Sequence, residues 1–377
     1  MSFSTEEVKQ YQRHLSLPGF GKEAQGKLKE ASVLVVGAGG LGCPVLQYLA
    51  AAGVGKIGIV DDDQVAASNL QRQVLYTHDD IGQSKAEVAA SRLAKLNPYV
   101  EIVPFAIRIT RGNAKETLEG YDIVVDGTDS FDSRYLINDA CVLFDKILIY
   151  GAIHQFEGQV SVFNLRGGPT YRCLFPEPPA AGVVPNCSEV GVVGVLPGVI
   201  GCMQALEAIK VITGLGDSLS GKLLLYDALG NKTRTLALSP DPKSRKISEL
   251  PEETSICETV GPEEDVVIEE IEPVELLRMM KVKPDLLLLD VREDWERQLS
   301  RIDPSAHCPV GHFAQPGGPS LPDDFRADRE MVVYCKAGVR SMMACRALVE
   351  MGYRKLYNLS GGMIRWSEDI GVPPPVG

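Results

Sequence analysis

The sequence predicts an α/β protein with two modules, a larger one built on a mainly parallel sheet and a smaller α/β module after it. Three observations predict this class. Two apolar, strand-like runs, Ser32–Val36 and Lys56–Val60, flank a glycine-rich loop and a helical stretch. A later apolar run, Met331–Tyr334, leads through a cysteine into another helical stretch. Between these patterns lies an acidic segment, 247–265. Continuous apolar runs of this length are typical of strands buried on both faces.

Length and composition exclude several classes of protein. A chain of 377 residues accommodates about two domains. The net charge of −12 argues against nucleic acid as the main partner. The N-terminal residues lack the basic and apolar regions of a signal peptide, and apolar runs such as Val190–Gly201 are too short and too interrupted to span a bilayer. We therefore expect a cytoplasmic protein without a membrane partner, whose nine cysteines are reduced thiols.

Charge and composition predict the boundaries of the domains. Residues 247–265 contain seven acidic residues, no basic residue, Pro251 and Pro262. Such a segment has too little apolar surface to offset the entropy lost on ordering. We interpret it as an acidic linker between a domain at 1–246 and a domain at 266–377. The alternative is an acidic surface loop within one domain.

A nucleotide-binding motif follows the first predicted strand. Its glycines are Gly37, Gly39, Gly40 and Gly42. A helical stretch and the second strand come next, and the acidic residues Asp61 and Asp63 follow. Glycines let the backbone approach phosphates, the helix N-terminus favours negative charge, and the acid binds ribose hydroxyls. This Rossmann-like arrangement predicts a nucleotide site and leaves open which nucleotide binds.

The residues beyond Asp63 favour a triphosphate. Arg72 lies in Ser68–Gln73, Lys85 opens a predicted helix, and Asp129 follows a predicted strand at Tyr121–Asp126. Two cations and a carboxylate suit phosphates and Mg²⁺, whereas a nicotinamide site needs a neutral pocket. Considered alone, Arg72 could instead be a surface cation, and Asp129 could instead be the N-cap of a helix.

These motifs resemble the MoeB/ThiF family of ubiquitin-activating-like adenylyltransferases over residues 5–240, as do Glu157-Gly158-Gln159 and the segment around Cys187. The resemblance implies that ATP and Mg²⁺ activate the C-terminal Gly-Gly carboxylate of a small ubiquitin-fold sulfur carrier (MoaD/ThiS-like) as an acyl-adenylate. The ATP-binding residues it implies are Gly40, Asp61, Ser68, Asn69, Leu70, Gln71, Arg72, Lys85, Asp129 and Ser130, with Asp129 as the Mg²⁺-linked carboxylate.

Two further roles follow from the resemblance. Arg13 matches an arginine that reaches the nucleotide of the other subunit in a homodimer, as an arginine finger does in other phosphoryl transfers. Its alternative is a solvated helix residue. Cys187, next to Asn186 in a predicted crossover loop, matches a cysteine that takes the activated carrier as a thioester or acyl disulfide. Its alternative is an incidental loop thiol.

One departure concerns zinc, which this family commonly binds through two Cys-x-x-Cys pairs. The first pair is reduced to Thr170-Tyr-Arg-Cys173, and the second corresponds to Asp241–Lys246, which contains no cysteine. A structural zinc site needs four ligands. We therefore expect no structural zinc and interpret Cys173 as a leftover thiol of the core.

The second module carries a cysteine on a strand-to-helix turn. A predicted strand at Leu286–Leu289 ends in Asp290-Val-Arg292, and a second at Met331–Tyr334 ends in Cys335. Backbone N–H groups and a helix N-terminus over a cysteine stabilise its thiolate. The six residues of the loop are Cys335, Lys336, Ala337, Gly338, Val339 and Arg340, a length that suits one sulfur, whereas seven residues suit a phosphate. The alternative is an ordinary buried cysteine.

These features resemble the rhodanese family of sulfurtransferases over residues 266–372. The resemblance implies a persulfide on Cys335, a loop oriented by Arg340, and support from Asp290 with Arg292. The usual His-Ile-x-Gly-Ala stretch is replaced by Arg301–Gln315, with His307 and His312, which leaves the use of thiosulfate open. Cys308 and Cys345 are interpreted as structural.

Together the modules predict a bifunctional enzyme that adenylates a carrier and delivers sulfur from Cys335 to form a thiocarboxylate for molybdopterin, thiamine or tRNA thiolation. A cysteine desulfurase or thiosulfate would supply the sulfur. Two alternatives keep the same fold: an NAD-dependent oxidoreductase with a redox-sensing thiol domain, and a scaffold that binds a carrier beside an inert cysteine domain.

Overall fold

The computed structural model describes residues 2–178, 191–250, 268–314, 319, 321–322 and 325–371. These residues form two compact units. The first contains 2–178 and 191–250, and the second contains the described residues from 268 onward. Most of the predicted linker, and Cys187, lie outside the described residues.

The first unit is built on a single mixed sheet. Its strands are β1 (Ser32–Val36), β2 (Lys56–Val60), β3 (Glu101–Phe105), β4 (Ile123–Asp126), β5 (Ile147–His154), β6 (Glu157–Phe163), β7 (Lys222–Asp227) and β8 (Lys232–Ala237). The strand order is β3-β2-β1-β4-β5-β6-β7-β8. The first five strands in this order are parallel, and β5 to β8 pair in antiparallel fashion. The mainly parallel α/β class is therefore confirmed, with an antiparallel half that the sequence did not predict.

Helices cover both faces of this sheet. The α-helices described in the unit are Thr5–Gln10, Gln12–Leu15, Gly21–Glu30, Gly42–Ala52, Lys85–Leu96, Ala114–Leu118, Phe131–Leu143, Tyr171–Leu174 and Val195–Thr213. Along β1, Val33 packs into the core on one face and Leu34 into the core on the other. Burial on both faces explains why β1 is apolar from Val33 to Val36.

The order of the strands reverses between β1 and β4, where the connections leave in opposite directions. In such sheets the crevice at the carboxyl ends of the strands, at this switch point, is where ligands bind. The fold therefore brings together the segments after β1, β2 and β4.

The helix Val195–Thr213 is a long, apolar element of the first unit. Eighteen consecutive residues of its 19 have a mean hydropathy of 1.6, so by length and composition it passes as a membrane span. The sequence-based expectation of no such run was wrong, because the apolar stretch continues beyond Gly201. The helix packs against β5, β6 and the helix Gly42–Ala52, as a core helix of an α/β domain does.

The second unit has a parallel sheet of five strands: β9 (Glu269–Ile271), β10 (Leu287–Asp290), β11 (Ala306–His307), β12 (Met331–Tyr334) and β13 (Leu356–Leu359). Their order is β11-β10-β12-β13-β9. The α-helices described here are Pro273–Val282, Asp294–Leu299, Val339–Glu350 and Gly362–Ile370. Glu269 and Glu270, which extend the acidic run of the sequence, belong to edge strand β9.

Candidate active sites

The glycine-rich loop after β1 turns at Gly37, whose φ of +92° is favourable only for glycine. A Cβ there would lie 2.7 Å from the carbonyl oxygen of Gly127. A Cβ on Gly42 would lie 1.9 Å from the carbonyl oxygen of Gly37. The first turn of the helix Gly42–Ala52 therefore packs directly on the loop, and its N-terminal N–H groups lie where phosphates are bound in related loops.

Asp61 joins the end of β2 to this loop. Its Oδ2 accepts a hydrogen bond from the N–H of Ala38 at 2.7 Å, and its Oδ1 accepts one from the N–H of Asp63 at 2.9 Å. Burial raises the pKa of the Asp61 carboxyl, against the opposing effects of the Lys85 charge and these hydrogen bonds. Lys85 is buried, and its Nζ lies 2.6 Å from Oδ2 of Asp63. A cation thus lies beside the pair of acids that the sequence predicted.

A cavity of about 350 Å³ opens at the carboxyl ends of β1, β2 and β4. Ten predicted residues line it: Gly37, Gly39, Gly40, Asp61, Asp63, Asn69, Arg72, Lys85, Asp129 and Ser130. The two predicted cations and the predicted carboxylate therefore meet in one space with the glycine loop. A cavity of this composition suits a nucleotide with several phosphates.

Other predicted residues do not line this cavity. Ser68 contributes its carbonyl oxygen, which accepts a hydrogen bond from Nη1 of Arg72 at 3.0 Å. Gly42, Leu70 and Gln71 are likewise absent from the lining. Arg13 is exposed on the helix Gln12–Leu15, and its predicted role in a second subunit stays a prediction.

Asp129 lies on a turn between two anchored neighbours. The side chain of Thr128 donates a hydrogen bond to Asp126, and Ser130 caps the helix Phe131–Leu143 by accepting one from the N–H of Ser133. The N-cap alternative for Asp129 is therefore wrong, because Ser130 fills that position. Asp129 is exposed and is one of the residues that line the cavity.

Sequence reasoning did not assign several other polar residues of the lining to the site, among them Gln73, Arg108 and Arg134. Gln73 is buried, and its Oε1 has no hydrogen-bond partner among the described residues. It is the neighbour of Arg72, so its position in the motif was available as a signal. Arg108 follows β3, and no pattern in the sequence distinguishes it from a surface arginine.

The predicted remnant of the zinc site is a polar cluster rather than part of the core. The half-buried Cys173 Sγ accepts hydrogen bonds from the N–H groups of Thr170 and Asp241 at 3.3 and 3.2 Å, and Ser244 Oγ lies 3.1 Å away. Burial alone would raise the pKa of this thiol, but the hydrogen bonds from Ser244, Asp241 and Thr170 together lower it. The interpretation as a core thiol was wrong. Hydrogen bonds to one sulfur connect the two segments here, and the described residues of the cluster offer only one thiolate ligand.

The second candidate site is the loop between β12 and the helix Val339–Glu350. Gly338 turns the chain with a φ of +95°, and its N–H donates a hydrogen bond to Cys335 Sγ at 3.1 Å. The Ser341 hydroxyl donates a second one at 3.3 Å. Cys335 is 1% exposed. The sulfur thus receives one backbone and one side-chain hydrogen bond at the start of a helix.

Arg340, the last residue of this loop, is held by an acid from another helix. Its Nη1 and Nη2 each lie 2.7 Å from an oxygen of Glu296. Burial would raise the pKa of Glu296, but the hydrogen bonds from Arg340 and from the N–H of Glu293 lower it. Arg340 therefore supports the loop through an ion pair.

Asp290 and Arg292, at the end of the neighbouring strand β10, form a fully buried ion pair at 2.7 Å. Arg297 reaches the same carboxylate at 3.3 Å. The replaced stretch of the sequence still forms a strand, since β11 pairs with β10 and His307 contacts the carbonyl oxygen of Arg292 at 2.7 Å. Cys308 and Cys345, which were interpreted as structural, are buried, and burial raises the pKa of both thiols.

Comparison with known families decides the classification. The ThiF family model matches residues 11–247, which is more than half of the chain. The chain belongs to the ThiF family. A rhodanese-like domain matches residues 272–369 of this ThiF-family chain. Both matches agree with the folds of the two units.

Relatives match this ThiF-family chain over two thirds of its length or more. The probable adenylyltransferase/sulfurtransferase MoeZ of Mycobacterium tuberculosis is 42% identical over 98% of this chain and 95% of the relative. The adenylyltransferase and sulfurtransferase MOCS3 of Sus scrofa is 39% identical over 98% of this chain and 87% of the relative. The sulfur carrier protein adenylyltransferase of Thermus thermophilus is 52% identical over 68% of this chain and 97% of the relative. The chain is thus an enzyme with an adenylyltransferase and a sulfurtransferase domain.

Among solved structures, the Escherichia coli MccB complex with MccA-N7isoASN has a TM-score of 0.56 and 24% identity. The match covers 62% of this chain and 72% of the MccB chain. This likeness supports the fold of the ThiF-family unit.

Proposed function

We propose that the first unit adenylates the C-terminal Gly-Gly carboxylate of a small ubiquitin-fold sulfur carrier. A carboxylate oxygen attacks the α-phosphorus of ATP, the bond to the bridging oxygen breaks, and pyrophosphate leaves with the electron pair. The observation that carries this proposal is the cavity in which Arg72, Lys85 and Asp129 meet beside the glycine loop. Arg72 and Lys85 offset charge on the phosphates.

Asp129 is the residue that we assign to the Mg²⁺ of bound ATP. Asp129 is exposed and lines the cavity, and a carboxylate suits a hard cation that prefers oxygen ligands. The ion would offset charge on the phosphates. Asp129, Arg72 and Lys85 line the same cavity, as the binding of one triphosphate would require.

We further propose a homodimer in the cytoplasm, in which Arg13 serves the partner's site. The exposed apolar side chains Val195 and Leu206 on the long apolar helix, at 68% and 54% exposure, support a covered face. A cytoplasmic location fits a reaction that depends on reduced thiols.

The second unit would supply sulfur through Cys335. Its thiolate takes the outer sulfur of a donor, a protein persulfide from a cysteine desulfurase or thiosulfate, and the donor leaves as a thiolate or sulfite. The outer sulfur of the Cys335 persulfide then attacks the acyl-adenylate carbonyl, and AMP leaves. Attack by a second thiol, for which Cys187 is our candidate, on the Cys335 sulfur releases the carrier thiocarboxylate. The resulting disulfide is reduced by a cellular thiol. The product would serve molybdopterin, thiamine or tRNA thiolation.

Exchange of labelled pyrophosphate into ATP tests the first half-reaction. We expect exchange that depends on a ubiquitin-fold carrier ending in Gly-Gly and is absent with a carrier lacking those two residues. Absence of exchange with a panel of such carriers, in folded wild-type protein, would contradict the proposal. Nicotinamide binding instead would revive the oxidoreductase alternative.

A further inference from the structure

The turn that presents Asp129 to the cavity is built from residues that the proposed reaction does not yet use. β4 ends at Asp126, and the N–H of Gly127 donates a hydrogen bond to the carbonyl oxygen of Val36 in β1 at 2.8 Å. The helix that Ser130 caps begins immediately afterwards. Asp129 is therefore one of a few residues between two rigid elements, and its position depends on what holds Thr128.

The Asp126 side chain fixes Thr128 through two hydrogen bonds. The carboxylate is 1% exposed, and its Oδ1 accepts hydrogen bonds from both the N–H and the hydroxyl of Thr128, at 2.9 and 2.7 Å. Burial raises the pKa of the Asp126 carboxyl, while the charge of Arg134 and the Thr128 hydrogen bonds oppose that rise. The backbone is fixed too, because Gln204 donates a hydrogen bond to the carbonyl oxygen of Asp126 at 2.7 Å.

Arg134, in the helix Phe131–Leu143, also binds Thr128. Its Nη2 donates a hydrogen bond to the carbonyl oxygen of Thr128 at 3.1 Å, and its Nε lies 3.9 Å from Oδ2 of Asp126. The guanidinium lies 5.7 and 5.9 Å from the ring centres of Phe131 and Tyr150, which restrict its orientation. Arg134 is 8% exposed and borders the cavity.

We propose that Asp126 and Arg134 are positioning residues that hold the Asp129 carboxylate where adenylation requires it, by fixing Thr128 through its side chain, its N–H and its carbonyl group. This inference rests on the proposed adenylation at the same cavity. On this inference, Asp126 and Arg134 affect the rate of the chemical step and not the affinity for the nucleotide. Displacement of a reacting or charge-stabilising group by about 1 Å is enough to cost about a hundredfold in rate.

The competing explanation is that Arg134, as a cation bordering the cavity, binds a phosphate of ATP directly. The two explanations differ in a measurable way. Direct binding predicts weaker ATP affinity when the guanidinium is replaced, whereas positioning predicts a slower reaction with ATP affinity nearly unchanged.

The test measures carrier-dependent pyrophosphate exchange and, separately, ATP binding by titration calorimetry without carrier, on the full chain. For Arg134→Lys we expect kcat to fall about tenfold to a hundredfold, with the Kd for ATP changed less than about threefold. An unchanged kcat, or a Kd that rises in step with the loss of kcat, would overturn the proposal.

Thr128 provides a second test that does not depend on folding around a changed arginine. Thr128→Val removes the hydroxyl donor to Asp126 at nearly constant shape, and Thr128→Ser restores it. We expect Thr128→Val to lower kcat about tenfold and Thr128→Ser to recover most of the loss, with ATP affinity retained in both. Equal kcat values for the two variants would contradict the hydrogen bond's role.

The chain offers a matched control, an arginine whose acidic partner lies in the same helix as Arg134. Arg172 forms an ion pair with Asp139 at 2.6 Å and lies over the ring of Tyr135, yet neither charged residue lines the cavity. Arg172→Lys should lower thermal stability, followed by circular dichroism, without changing kcat. A comparable loss of kcat in Arg172→Lys would show that Arg134→Lys acts through general stability. If wild-type protein shows no exchange, the proposed function fails, whereas the outcomes above concern only the positioning pair.

Discussion

Arg340 and Glu296 form an ion pair in which two guanidinium nitrogens each lie 2.7 Å from a carboxylate oxygen. The side chains are 12% and 4% exposed, so the pair is largely removed from water. It joins the end of the cysteine loop to the helix Asp294–Leu299. The loop that holds Cys335 is therefore fixed at its far end by a charge pair rather than by apolar packing alone.

Removing one member of this pair should be costly. We expect Glu296→Ala to lower the free energy of unfolding of the second unit by roughly 3–5 kcal/mol, because it leaves the Arg340 charge buried without its partner. Tryptophan fluorescence in a denaturant titration measures this unit in the intact chain, since both tryptophans of the protein, Trp295 and Trp366, lie in it.

The control is Glu272→Ala in the same unit. Glu272 pairs with Arg365 at 2.7 Å, but these side chains are 51% and 46% exposed. An exposed pair contributes about 0–1 kcal/mol. Equal destabilisation by the two substitutions would contradict the role assigned to the buried pair.

Lys85 should matter more to the adenylation reaction than its charge alone suggests. Its side chain is 5% exposed and borders the cavity, where a fixed cation acts in a low dielectric. We expect Lys85→Met to lower kcat/KM for ATP in the exchange assay by about a hundredfold. Lys56→Met removes a cation of β2 that is 36% exposed and pairs with Glu101, and it should leave kcat/KM unchanged. A similar loss in both variants would mean that overall charge is responsible.

The pH dependence of ATP use should reflect Asp61. Because burial raises the pKa of this carboxyl above 3.8, kcat/KM for ATP should fall on acidification at a higher pH than an ordinary aspartate would give. The neutral form accepts hydrogen bonds poorly from the loop and from ribose hydroxyls.

The effect of Asp61 on stability has the opposite sign. A raised pKa in the folded state means that the folded protein binds the proton more tightly, so acidification through this range stabilises the fold as far as Asp61 is concerned. Activity should therefore fall before unfolding begins, as measured by circular dichroism at the same pH values. Asp61→Asn should have low activity, and its kcat/KM for ATP should not show this fall on acidification. An unchanged fall in that variant would mean that another group causes it.

Cys173 should be an unusually reactive thiol for a structural position. The hydrogen bonds around its sulfur lower its pKa, whereas burial raises that of Cys202, another partly exposed cysteine of the same unit. We expect iodoacetamide at neutral pH to alkylate Cys173 faster than Cys202, as followed by peptide mass spectrometry. Ser244→Ala removes one hydrogen bond to the Cys173 sulfur. It should slow the alkylation of Cys173 and leave that of Cys202 unchanged. Equal rates in wild-type protein would contradict the assigned stabilisation of the thiolate.

The elements that the sequence predicted well are those buried on both faces. β1 and β12 were predicted with their observed bounds because each contains a continuous apolar run, Val33–Val36 and Met331–Tyr334. β3 was missed, since it carries exposed Glu101 and Pro104, and Arg108 beyond it was missed with it. The fully exposed β8 at the edge of the sheet has no periodic pattern either.

The side chains brought into the first cavity were largely predictable, because each follows a recognisable strand or loop. The contacts that hold them were not. Glu296 and Arg340 are 44 residues apart, and Cys173 and Asp241 are 68 apart. Such pairs depend on how distant elements pack, which no local spacing encodes.

The division of labour between two sites is the central claim, and a single substitution tests it most directly. Cys335→Ser should retain carrier-dependent pyrophosphate exchange at the wild-type rate and yield no carrier thiocarboxylate by mass spectrometry. Asp129→Ala should lose the exchange reaction, while its Cys335 still accepts a persulfide sulfur. Loss of exchange in Cys335→Ser, or a thiocarboxylate formed without that sulfur, would contradict the account.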